Sequence, residues 1–321
     1  MFHLDTDMGV DDGLALLLAD KLLAGGFALS TVFGNVPLPV ATRNALLFRE
    51  LLGRNTTLTV VAGADRASDG FSRDARDIHG EDGLGNATSL VDATTLRKIS
   101  SEPVARLRDA TPPANAEVVL VGIGPATNIP RLIDWYGRSA VRRIVLMSGV
   151  FFDEGNITPT AEFNAHNDPA ALNETLARGI PTTLVPLDVC RKVQITRAAM
   201  RSLEKVDHSP VARLVVASHM LYMDHYRAWE GIDGCYPHDA LALLVALAPD
   251  RFYRLRGTVA VDGSDARRGT MTFTPSASSH VEIVTGGDLK WAREMLADLL
   301  DGADARKLHA RLAPTADMKV T

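Results

Sequence analysis

Four carboxylates stand within eight positions near the start of the chain. Asp5, Asp7, Asp11 and Asp12 lie in the run Phe2-His3-Leu4-Asp5-Thr6-Asp7-Met8-Gly9-Val10-Asp11-Asp12-Gly13-Leu14-Ala15-Leu16-Leu17-Leu18. Like charges this dense repel each other, and apolar residues on both sides limit relief by solvent. A bound cation is the simplest way to hold them. Asp5 and Asp7 are two apart, so on a strand they share one face. Gly9 permits a tight turn. Asp11 and Asp12 then open a helix, where carboxylates suit the positive end of the dipole and cap free N–H groups. Val10, Leu14, Leu17 and Leu18 recur at helical spacing, which would pack this helix on a sheet. Carboxylates at the carboxyl end of a strand, beside a helix N-terminus, occupy the usual ligand position of an open α/β sheet. All-oxygen ligands favour Ca²⁺ or Mg²⁺ over zinc. Capping plus a solvated turn is the competing account; it explains one or two such aspartates more readily than four.

The rest of the chain extends that pattern. Short runs rich in Val, Leu and Ile at 2–6, 28–33, 58–62, 117–122, 143–148 and 181–187 predict strands, with 281–284 as a late one. Their near-continuous hydrophobicity suits strands buried on both faces. Segments 41–52, 125–136 and 168–178 read as helices between them, and 210–230 as a helix carrying aromatics. This alternation predicts an α/β fold: an open, mostly parallel, doubly wound (Rossmann-like) sheet flanked by helices. No Pro/Ser-rich linker divides the 321 residues, so one domain is expected, with 313–321 a loose polar tail. The polar, glycine-rich stretch 64–90 is expected to be a long functional loop.

A formal net charge of -5 gives no reason to expect nucleic acid or an anionic membrane as partner, and no apolar run reaches membrane-spanning length. Two cysteines, Cys190 and Cys235, make no disulfide framework. A strand within two residues of Met1 leaves no room for a signal peptide. A cytoplasmic setting is therefore expected.

The stretch Asp5-Thr6-Asp7-x-Gly9-x-Asp11-Asp12 resembles the signature of the inosine-uridine-preferring nucleoside hydrolases, with Met8 where that family usually has Pro. Further stretches resemble the family in order: Gly34-Asn35-Val36, His79-Gly80-Glu81-Asp82-Gly83-Leu84, Gly124-Pro125-Ala126-Thr127-Asn128, Gly155-Asn156 through Glu162-Phe163-Asn164, Leu187-Asp188-Val189-Cys190 and His238-Asp239-Ala240. Cys190 replaces the usual Thr and Ala240 the usual Pro. Each stretch also has a plainer reading. Asn35 is a turn residue, His79 a solvated loop histidine, Thr127 or Asn128 a cap, and Asp188 a structural carboxylate at a strand end. Tyr222, Tyr226 and Trp229, at helical spacing, form a core stripe or a wall for a base.

The resemblance implies calcium-dependent hydrolysis of the N-glycosidic bond of a small-molecule ribonucleoside by a homodimer or homotetramer. It implies Ca²⁺ on Asp7, Asp12, the Thr127 carbonyl and Asp239. Asp7 would be the general base and His238 the acid for the leaving base. Asp11, Asn35, His79, Asn156, Glu162, Phe163, Asn164, Tyr222 and Tyr226 would contact substrate. Two other classes compete: a non-catalytic calcium- and ribose-binding protein on the same fold, and a Mg²⁺-dependent phosphatase of the haloacid-dehalogenase type, which also opens with Asp-x-Asp. The second fits poorly, because Gly9 stands where that family wants Thr or Val.

Overall fold

A computed structural model describes residues 1–23, 26–112 and 117–313. Nine strands form the central sheet: β1 Phe2–Thr6, β2 Phe27–Thr31, β3 Val60–Ala62, β4 Val118–Gly122, β5 Val141–Met147, β6 Thr182–Val185, β9 Phe252–Val261, β10 Met271–Pro275 and β11 Val281–Gly287. β7 Ile195–Thr196 and β8 Gly234–Cys235 form a separate antiparallel pair. The sheet order is β10-β9-β11-β6-β5-β4-β1-β2-β3. From β3 to β11 every pairing is parallel; β9 runs antiparallel to both β11 and β10. The order 3-2-1-4-5-6 within it is the doubly wound one, and the chain reverses direction across the sheet between β1 and β4.

The strands look hydrophobic throughout because they feed two cores. Val121, Val145 and Met147 point into one, with the helices Val10–Leu22, Pro210–Glu230 and His238–Leu247. Leu120, Ile144 and Leu146 point into the other, with Ile129–Tyr136 and Pro169–Ala177. The helix Val10–Leu22 is buried on nearly all sides, only Asp20 and Lys21 escaping, so it lies deeper than a helix resting one face on a sheet.

Helix Pro210–Glu230 has the expected limits. The strand boundaries move by up to three residues. Part of segment 64–90 is ordered into a short helix, Arg76–His79, and a 3-10 turn, Ala87–Leu90. Segment 125–136 divides into a 3-10 turn, Ala126–Asn128, and the helix Ile129–Tyr136. Residues 314–321 of the expected tail lie outside the described residues. No described helix is long and apolar enough to cross a membrane.

The first turn differs from expectation at its backbone. Gly9 sits in an extended conformation, and the residue with positive φ is Met8, at 46°. A proline ring fixes φ near −65°, so Met8 adopts a conformation that proline at this position would not. What Gly9 provides is room: a Cβ there would lie 2.4 Å from Asn35 Nδ2 and 2.6 Å from His79 Nδ1.

Candidate active site

The reversal point between β1 and β4 gathers the carboxylates. Asp11 and Asp12 occupy the first turn of Val10–Leu22, and Asp239 the first turn of His238–Leu247. One carboxylate oxygen from each of these three buried residues lies within 4.8 Å of the others. Asp12 is fixed by local bonds: its Oδ2 accepts from Gly9 N (2.7 Å) and Asn35 Nδ2 (3.1 Å), and its Oδ1 accepts from Thr6 Oγ1. Capping and clustering are therefore both true of it. Asp11 Oδ1 is buried and has no hydrogen-bond partner among the described residues. Burial first, then the neighbouring Asp12, pushes the Asp7 and Asp11 carboxyls well above the usual range; burial, then Asp11, does the same to Asp239. Hard oxygen donors, an orphaned carboxylate oxygen and uncompensated negative charge fit a divalent cation.

Asp7 stands beside this triad. Asn35 clamps it, donating from its backbone N to Oδ2 (2.7 Å) and from Nδ2 to Oδ1 (3.1 Å). Asp5 does not share the site. It faces a separate buried chain in which Ser30 Oγ and Asn128 Nδ2 donate to its Oδ1, and Ser30 in turn meets His3. Asp7 lies past the end of β1, so the face-sharing expected of the two residues does not arise.

Above the triad opens a cavity of about 770 Å³. Asp11, Asn35, His79, Asn156, Glu162, Phe163, Asn164, Tyr222, Tyr226, His238 and Asp239 line it; Asp7, Asp12 and Thr127 lie behind that lining. Thr127 is buried after β4 and its Oγ1 donates to Asp168 Oδ2 (2.7 Å). Glu162 caps helix Phe163–Asn167, accepting from Asn164 N (2.7 Å) and Ala165 N (3.0 Å), and also from Gly149 N (3.0 Å). Asn156 Oδ1 accepts from Phe163 N (2.9 Å), and Asn164 Nδ2 donates to the Met147 carbonyl (3.1 Å). Asp188 lies in a short helix, Leu187–Cys190, rather than at a strand end, and accepts from Phe151 N and Phe152 N. That bonding is structural, as expected of it.

On the opposite wall, His79 is buried, not solvated: its Nδ1 accepts from Val10 N (3.0 Å), so the ring proton sits on Nε2. His238 Nε2 pairs with the Tyr226 hydroxyl (2.9 Å), which lies 3.5 Å from the Tyr222 hydroxyl. Burial lowers both histidines to about 3, keeping them neutral. The aromatic stripe splits by depth: Tyr222 is buried, whereas Trp229 is 66% exposed at the cavity rim. The rim also holds Asp74, Asp153, Glu154, Arg191 and His225, which carry no motif and were silent in the sequence.

A deep polar cavity over buried acids, at the reversal point of a doubly wound sheet, is the arrangement of an enzyme that handles small polar molecules. Over residues 2–309 the sequence matches the model of the inosine-uridine preferring nucleoside hydrolases. The chain belongs to that family and is a ribonucleoside hydrolase. It is 32% identical over 271 residues to "Probable uridine nucleosidase 2" of Oryza sativa subsp. japonica, across 83% of this chain and 79% of that protein. It is 29% identical over 313 residues to "Non-specific ribonucleoside hydrolase RihC" of Klebsiella pneumoniae, across 92% and 97%. A solved plant nucleoside hydrolase, PpNRh1, shares the fold with a TM-score of 0.76 at 26% identity, over 98% of this chain and 99% of that one.

Proposed function

We propose that this single-domain enzyme cleaves the N-glycosidic bond of uridine and related ribonucleosides with Ca²⁺ held by Asp7, Asp12, Asp239 and the Thr127 carbonyl, and with Asp11 beside it on the ribose. The carrying observation is the buried triad with the orphaned Asp11 oxygen at the floor of the cavity. Two close relatives are named for uridine, and that favours a pyrimidine nucleoside. When bound, the cation supplies positive charge that orients the ribose diol and acidifies a water.

The protein's own groups do the rest. Asn35 holds Asp7 so that it takes a proton from the attacking water. The water oxygen bonds to C1′ as the bond from C1′ to the base nitrogen breaks, and the negative floor stabilises the cationic sugar in between. Asp11, Asn156, Glu162 and Asn164 bind the ribose hydroxyls, and Phe163 covers the sugar. His79 offers an Nε2–H to the base. The Tyr226–His238 pair passes a proton to the departing base and is reprotonated from solvent after the base leaves, a role typically worth on the order of 10²–10⁴-fold.

Two buried free thiols suit a reducing cytoplasm. A homodimer or homotetramer is expected and is read directly by sedimentation. The central test is release of base from uridine and inosine, with and without a chelator, by wild type and Asp7→Ala. Expected are turnover by wild type, loss on chelation with recovery on Ca²⁺, and near-complete loss in the variant. Full activity after exhaustive chelation contradicts the metal role; wild-type kcat in Asp7→Ala contradicts the base.

A further inference from the structure

The Tyr226–His238 pair joins two elements at the edge of the main core, where Tyr226 packs against a cluster that holds Tyr222, Met223, Cys235 and Ala240. The last fully buried residue of helix Pro210–Glu230 is Met223; beyond it Tyr226 is half-buried against the core and residues 227–230 are exposed. His238 arrives from the other side: Asp233 precedes β8, and His238 opens the helix His238–Leu247 four residues after Gly234.

Arg197 lies between them. Its Nη2 donates to Asp224 Oδ1 (2.6 Å), on the helix between Tyr222 and Tyr226, and its Nε donates to Asp233 Oδ1 (2.8 Å). Its backbone N donates to the Asp233 carbonyl (3.0 Å), and its Nη1 reaches the Met220 carbonyl (3.4 Å). Its side chain is only 14% exposed, whereas those of Asp224 and Asp233 are 66% and 60% exposed. β7 leads directly into Arg197 and pairs with β8, which leads to His238. Gly234 permits this approach: a Cβ there would lie 2.3 Å from the Ile195 carbonyl oxygen.

Ion pairs with exposed partners contribute little to global stability, so stability alone does not account for this bridge. The planar guanidinium directs its donors along fixed lines, and those lines end on the two segments that carry Tyr226 and His238. We propose that Arg197 is a positioning residue that holds the Tyr226 hydroxyl on His238 Nε2, and so sets how well the leaving base receives its proton. This rests on the reading of that pair given above.

The test compares wild type, Arg197→Ala, Arg197→Lys and Asp224→Asn on uridine and on 4-nitrophenyl riboside, whose leaving group departs without a proton. In Arg197→Ala, kcat on uridine should fall about tenfold, a fraction of what general acid catalysis supplies, while 4-nitrophenyl riboside changes less than about twofold. Lys has one ammonium for two carboxylates and should recover only part of the loss. Asp224→Asn removes one arm and should show the same selective pattern at smaller size, whether or not Arg197→Ala folds. In a Tyr226→Phe background, Arg197→Ala should add nothing, because both changes break one unit. Equal losses on the two substrates, additivity with Tyr226→Phe, or undiminished uridine turnover would each overturn the proposal. Failure of wild type on both substrates overturns the enzymatic reading itself, and this inference with it.

Discussion

The position of Asp7 depends on what its neighbours lack. A methyl group added at Gly34 would sit 2.0 Å from Asp7 Oδ2 and 2.8 Å from its Cβ, and that oxygen is the one Asn35 N holds. Gly34→Ala should therefore displace the carboxylate and cut kcat/KM on uridine by about 100-fold, in line with the cost of a misplaced catalytic group. Gly263→Ala, where nothing lies within 4 Å, should leave both kcat/KM and melting temperature unchanged; steady-state kinetics and thermal melts check the pair. His238→Ala should harm uridine far more than 4-nitrophenyl riboside, and similar losses would remove it from proton delivery. At this scale the motifs disclosed residue types and order but not direction. Asp5 and Asp7 look equivalent in the sequence, yet Asp5 turns to Ser30 and Asn128 because β1 ends at Thr6. Nothing in the sequence signals the conformation of Met8, and only the backbone shows its positive φ.

Among elements, the strands that feed two cores were legible, since burial on both faces leaves an apolar run. β9 and β10 were not. Residues Tyr253, Arg254, Leu255 and Arg256 are all exposed, so β9 breaks the apolar signature although it pairs on both sides. The turn between β9 and β10 nevertheless serves the site. Arg268 donates to the carbonyls of His166 (2.8 Å) and Asn167 (3.0 Å), pairs with Asp69 (2.7 Å) and stacks on Phe71, 4.1 Å from its ring centre. It thus fastens the segment leading to His79 onto the end of the helix that carries Phe163 and Asn164. Arg268→Ala should speed hydrogen exchange across residues 69–73 and raise KM more than it lowers kcat, measured by mass spectrometry and initial rates. Loops joined to distant turns in this way leave no local trace in a sequence, because the partners are 199 residues apart.

For the whole molecule, burial of neutral imidazoles ties stability to pH. His219 is buried on helix Pro210–Glu230, its ring bonded to the Val215 carbonyl and lowered by burial to about 4. An unfolded histidine takes up its proton near 6.5. Between those values the unfolded chain binds more protons, so this residue's contribution to stability shrinks as pH falls. His219→Phe should gain on wild type by up to a few kcal/mol as pH is lowered from about 6.5 to 4, read from denaturant midpoints across that range. A parallel expectation concerns the acidic triad: Ca²⁺ should raise the melting temperature of wild type, through binding to the native state alone, but not that of Asp239→Ala.

Two members of that triad come from positions 11 and 12 and the third from position 239. Asp11 and Asp12 therefore leave the ribosome long before Asp239, and a product cut short of that residue lacks one of the three donors. A copy cut before Asp239 should bind Ca²⁺ more weakly than the full chain and be digested sooner, which limited proteolysis with and without the ion would read.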